Sequence, residues 1–142
     1  MIRRSLLAAL VLLPALMTDA VAQQPIVIKF SHVVAKDTPK GKAADKFKEL
    51  AEAATKGKVK IEIYPNSTLY KDKEELEALQ LGAVQMLAPS MAKFGPLGVK
   101  EFELFDLPYL FSDRASLERI TNGQIGRDLF GKLQSKGING LA

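Results

Sequence analysis

The residues with chemistry to offer fall in two short stretches. Lys29 to Gly41 (KFSHVVAKDTPKG) holds the protein's only histidine, His32, with Lys36 and Thr38 close behind it. Ala88-Pro89-Ser90-Met91 supplies a second hydroxyl, on Ser90. A lysine, two hydroxyls and the unpaired N–H groups at a helix start suit a small anion, above all a carboxylate. One buried charge-assisted hydrogen bond of that kind contributes about 1.5–3 kcal/mol. His32 carries two readings here: a ligand contact or general base at a strand end, and a histidine hydrogen-bonded to backbone.

Other chemistries fail on inventory. With one histidine and no cysteine there is no thiol nucleophile, no disulfide and no His-x-x-x-His spacing for zinc. No serine sits in a G-x-S-x-G elbow, and no G-x-G-x-x-G follows a strand. Pro39-Lys40-Gly41-Lys42 resembles the tail of a phosphate loop, but Lys36 stands where glycine is required and Ala43 where Ser or Thr is required. No cofactor or metal is implied. Turnover is not expected; the enzymatic rival is an exported hydrolase or isomerase with His32 as base.

Both stretches need elements to hold them. Ile26, Val27, Ile28 and Phe30 form a β-branched and aromatic run that predicts a strand over about 26–33. Thr38 caps the following helix, and Pro39 fits its first position, where a missing N–H costs nothing. That helix runs over 38–56, with Ala43, Ala44, Phe47, Leu50, Ala51 and Ala54 as its inner stripe. Most of Lys29, Lys36, Lys40, Lys42, Lys46 and Lys48 read as a solvated edge and helix face. Val59 to Tyr64 alternates and predicts a second strand, near a sheet edge. Asp72 and Glu75 read as a D-x-x-E capping box for a helix carrying Leu76, Leu79 and Ala83. Val84 to Ala88 predicts a third strand. Two βαβ units with right-handed crossovers on opposite sides give strand order 2-1-3, an α/β lobe with a mostly parallel sheet and helices on both faces. The switch point then lies between the first and third strands, with Val33 to Thr38 and Ala88 to Met91 flanking the crevice.

The remainder is apolar but irregular over 91–112, with Phe94, Phe102, Leu104, Phe105, Leu107, Tyr109, Leu110 and Phe111. Most of this run is expected in the core or between lobes, and a docking surface for another protein is the alternative. Two helices follow, one starting at Ser112 or Asp113 and one over about 124–136. Ile138 to Ala142 then reads as the beginning of a strand, so the chain is expected to be part of a longer protein.

Arg3 and Arg4, the apolar run Leu6 to Met17, and Ala20-Val21-Ala22 read as a signal peptide over 1–22, too short to span a membrane comfortably and cleaved before Gln23. Residues 23–142 are then one exported lobe. The net charge of +4, with 16 acidic residues interspersed, argues against nucleic acid as a partner.

Lys29 to Gly41, Tyr64-Pro65-Asn66-Ser67, Leu81 to Met86 (LGAVQM) and Leu107 to Phe111 (LPYLF) together resemble the TRAP-transporter solute-binding proteins of the dicarboxylate (DctP) type. The motifs keep the family's order and spacing over nearly all of 26–142. The resemblance implies a monomeric periplasmic receptor of two α/β lobes that closes on a small carboxylate, such as a C4-dicarboxylate, and delivers it to a TRAP permease driven by an ion gradient. It implies that this chain is the first lobe, and that the arginine clamping the carboxylate belongs to the second. It places first-lobe contacts at Val33, Val34, Asp72, Pro89 and Ser90, with His32 and Lys36 as polar additions. Asp72 is also readable as a helix cap alone.

Overall fold

The computed structural model describes residues 24–141; the expected leader over 1–22 lies outside them. In chain order the elements are β1 (Ile26–Ser31), α1 (Pro39–Ala54), β2 (Val59–Tyr64), α2 (Glu75–Gln80), β3 (Met86–Leu87), two 3-10 segments (Met91–Phe94 and Lys100–Asp106), α3 (Arg114–Asn122) and α4 (Gln124–Gln134). The three strands form one parallel sheet in the expected order, β2-β1-β3. Ile28 pairs with Ile61 and Phe30 with Ile63, which puts the apolar positions of both strands on one face. Phe30, Ala44 and Ile61 form a buried core there, between the sheet and α1. A second core joins Phe94, Val99, Phe102, Leu133 and Ile138, with Leu76 and Leu79 of α2 packed on it.

Several elements differ from their sequence expectation, each for a visible reason. β1 stops at Ser31 because the next carbonyls serve a turn: Ser67 N–H donates to His32 O at 3.2 Å and Asn66 N–H to Val34 O at 2.9 Å. β3 is confined to Met86–Leu87, since the N–H groups of Ala83 and Val84 both go to Ala78 O at the end of α2. The capping box does not form. No side chain caps α2, and its backbone start is satisfied by Lys71 O, which accepts from Glu75 N–H at 3.1 Å. The expected strand over 138–142 is absent among the described residues. Ile138 N–H instead closes the end of α4 on Leu133 O at 3.1 Å, after a left-handed Gly137 (φ 74°).

The stripe expected for α1 is met in part: Ala44 is buried, Ala51 packs on the core and the Phe47 ring lies edge-on to Phe30 at 6.0 Å, whereas Ala43, Leu50 and Ala54 are exposed and Gly41 is buried instead. Lys48, expected on the solvated face, reaches β2: its Nζ donates to Ile61 O at 2.5 Å, and Glu52 Oε1 accepts from Ile61 N–H at 2.9 Å. This ion pair occupies the two Ile61 backbone groups that an edge strand would otherwise present to another chain. The aromatic run also divides. Phe94 and Phe102 are core, as expected, but Leu104, Leu107, Tyr109 and Leu110 are exposed. Only Phe105 and Phe111 of its C-terminal half stack, with ring centroids 5.6 Å apart.

Candidate functional site

β1 lies between its two partners, so the chains leaving β1 and β3 emerge side by side where the strand order reverses. Ligands of open α/β sheets bind in that crevice, outside the carboxyl ends of the strands. Lys40 crosses it, its Nζ donating to the carbonyl oxygen of Ala88 at 2.9 Å.

The β1 exit is held from two sides. Thr38 caps α1, its Oγ1 accepting from Gly41 N–H at 3.2 Å and donating to Ala35 O at 2.6 Å. A Cβ on Gly41 would stand 2.5 Å from the carbonyl oxygens of both Ala35 and Lys36, so only glycine lets α1 approach the loop this closely. From the other side, the Pro65-Asn66-Ser67 turn bonds to His32 O and Val34 O. Val33 and Val34 are half-buried between these restraints.

His32 is fully buried, edge-on to Phe30 at 6.1 Å between ring centroids, and neither ring nitrogen has a hydrogen-bond partner. Burial pushes its pKa below the ordinary 6.5, the Val34 backbone opposes the shift, and the Lys40 charge adds a smaller lowering contribution. The ring is therefore neutral at neutral pH and closed to a solute in the crevice. Ser31 Oγ is likewise buried without a partner.

The other expected residues take distinct places. Lys36 lies on the outside, its side chain 71% exposed and its Nζ 3.7 Å from Asp45. Pro89 is half-buried beside Ala88, and Ser90 Oγ donates to Asp106 Oδ1 at 3.3 Å. Asp72 is tied to the 3-10 segment that follows Ser90: Lys93 Nζ donates to its carbonyl at 2.7 Å and pairs with its carboxylate. The same lysine meets the fully buried Glu75 at 3.3 Å, while Glu75 Oε2 has no partner. Burial raises the Glu75 pKa, and Lys93 opposes the rise. The structure thus gathers His32, Val33, Val34, Pro89 and Ser90 at one sheet edge, turns Lys36 away from it and links Asp72 through Lys93.

Lys40, Glu75 and Lys93 are absent from the sequence-based site. For Lys40 a signal exists, since it precedes the buried Ala44 by four residues and therefore shares its helix face. Among the described residues, no group of His, Asp and Glu is placed to hold a metal, and no helix is long and apolar enough to cross a membrane.

Residues 30–142 match the DctP family, bacterial extracellular solute-binding protein family 7. The chain belongs to that family. This family 7 chain is 65% identical over 146 residues to the C4-dicarboxylate-binding periplasmic protein DctP of Rhodobacter capsulatus, a match covering 100% of it and 44% of the relative. It superposes with a TM-score of 0.78 on a TRAP periplasmic solute-binding protein from Pseudomonas aeruginosa PAO1 with bound L-malate, at 53% identity, covering 83% of this chain and 41% of that one. A TRAP periplasmic solute-binding protein from Sulfurospirillum deleyianum with bound succinate gives 0.74 at 45% identity, covering 79% and 36%. The family 7 chain thus spans about two fifths of the length of these relatives. The family is one of solute receptors rather than enzymes.

Proposed function

We propose that residues 23–142 form the first lobe of a monomeric periplasmic receptor that captures a C4-dicarboxylate and hands it to a TRAP permease, without turnover. The observation that carries the reading is the crevice between the exits of β1 and β3, where the start of α1 and the Lys40 ammonium meet. The relatives that hold L-malate and succinate supply the ligand class. Val33, Val34 and Pro89 shape the wall, and the Ser90 hydroxyl serves the rim. Asp72 acts through Lys93, fixing the segment after Ser90, and His32 supports the wall from beneath. The buried, unpartnered ring disfavours the rival in which His32 is a catalytic base.

In this reading the solute touches both lobes only when they are closed, so it stabilises the closed state and presents that state to the permease. The test is a thermal-shift panel on the product of the complete reading frame, with succinate, L-malate and fumarate against their diamides. Stabilisation by the acids alone supports the reading, and a flat panel overturns it.

The exposure of Leu104, Leu107, Tyr109 and Leu110 favours a second, compatible reading in which this run contacts another polypeptide. Tyr109→Ser would then leave solute affinity unchanged and lower permease-dependent uptake. A fall in affinity would instead assign the run to the receptor's own binding step.

A further inference from the structure

Glu75 is a buried ionisable group to which the receptor reading gives no task. It is the first residue of α2 and fully covered, yet only one of its two carboxylate oxygens is paired. Lys93 Nζ donates to Oε1 at 3.3 Å, and Oε2 has no partner among the described residues. Burial with an acceptor left unpaired favours the neutral acid, whereas the Lys93 contact favours the ion. The protonation of such a group is open to any further charge placed near it.

Three charges already act on Glu75, each from a different part of the fold. Lys93, on the 3-10 segment after Ser90, and Lys40, on α1, favour the ion; Asp72, in the turn before α2, disfavours it. Lys40 spans the strand exits through Ala88 O, and Lys93 binds Asp72 at both its carbonyl and its carboxylate. The Asp72 side chain is half exposed and that of Lys93 mostly covered, so this cluster runs inward from solvent to Glu75. Asp72, Lys93 and an ionised Glu75 together carry one negative charge; with Glu75 protonated they carry none. An anion in the crevice offsets Lys40 and is repelled by an ionised cluster. Both effects favour the proton on Glu75.

We propose that Glu75 takes up a proton when the receptor binds its anionic solute, which links binding to pH through a residue the solute does not touch. The inference rests on the reading of this chain as a carboxylate receptor. Once protonated, Oε2 becomes a donor, while Lys93 keeps Asp72 and the segment after Ser90 in place. Linkage sets the sign. The bound receptor holds the proton to higher pH than the free one, so affinity is greatest below the Glu75 pKa of the free receptor. It declines as pH rises from that pKa to the bound one. His32 is the group to tell apart from Glu75, because Lys40 acts on it as well.

The test is calorimetric titration of the product of the complete reading frame with succinate, over about pH 5–8. Paired buffers of unlike ionisation enthalpy give the protons exchanged per binding event. Wild type, Glu75→Gln and His32→Leu are compared, with circular dichroism verifying each fold; the ionisation of succinate itself is common to all three. Wild type and His32→Leu are expected to take up more protons than Glu75→Gln. Their affinity relative to Glu75→Gln should fall by about two- to tenfold across the range, the scale of one unit charge acting without contact. Equal proton counts in wild type and Glu75→Gln would overturn the proposal. An excess kept in Glu75→Gln and lost in His32→Leu would overturn it too. Should Glu75→Gln fail to fold, the other two proteins decide. Uptake beyond that due to succinate, in both of them, supports the proposal, and exchange fully accounted for by succinate overturns it. In all these cases the receptor reading survives, whereas a wild type that binds no succinate removes that reading and this inference together.

Discussion

Lys93 reaches into the domain to meet Glu75 at 3.3 Å, and the same ammonium holds the backbone carbonyl of Asp72 at 2.7 Å. One side chain thus fastens α2 and the turn before it to the 3-10 segment that follows Ser90. The arrangement is buried at its centre: Glu75 is fully covered, and Lys93 is 21% exposed.

Removing the cation strands a buried carboxylate, which is more costly than the pair is worth. Lys93→Met is expected to lower unfolding free energy by about 3 kcal/mol. Glu75→Gln placed on that background should recover most of the loss. Urea denaturation of the single and double variants measures the coupling. Equal losses in the single and double variants would show that Glu75 is not the source of the cost.

The two buried titratable groups give opposite pH limbs. Burial raises the Glu75 pKa above its ordinary 4.5, so the native state holds a proton longer than the unfolded chain does. Stability from this group therefore falls as pH rises from the ordinary value through the raised one. Burial lowers the His32 pKa below 6.5, so the unfolded chain takes up the proton first, and stability is lost as pH falls below 6.5. Glu75→Gln should flatten the first limb and His32→Leu the second, in unfolding free energies followed against pH. A His32→Leu variant with the wild-type acid limb would contradict the assignment.

Gly41→Ala tests how the crevice is built. The added Cβ would lie 2.5 Å from two carbonyl oxygens, Ala35 O and Lys36 O, so backbone rather than a flexible side chain would have to move. The expected cost is about 1–3 kcal/mol, the scale of overpacking, together with weaker solute binding as the β1 exit shifts. Unchanged stability and affinity would mean that the loop is not held against α1. Gly57→Ala offers the contrast: its Cβ meets nothing within 4 Å, so any cost there comes from its φ of 76° alone, without a change in affinity.

The sheet was readable because its code is local. Val59, Ile61 and Ile63 alternate with Lys58, Lys60 and Glu62, and Thr38-Pro39 marks a helix start that the structure reproduces. The face of α1 was harder to read, because Lys40 and Lys48 bury their stems and send their heads to carbonyl oxygens, which residue type alone counts as solvent-seeking. Asp72 and Glu75 show a second limit. The D-x-x-E spacing suits a capping box equally well as a turn and a buried acid, and only Lys93, 18 residues beyond Glu75, decides between them. His32 was conspicuous as the single histidine, yet its ring is sealed beneath the loop while the charge that spans the crevice belongs to Lys40.

Direct calorimetric titration of the product of the complete reading frame with succinate and L-malate tests the central claim. The account predicts saturable one-to-one binding, with the folded state stabilised by about 2.7 kcal/mol when ligand stands 100-fold above Kd. Absence of saturable binding to both diacids by the folded protein would contradict it.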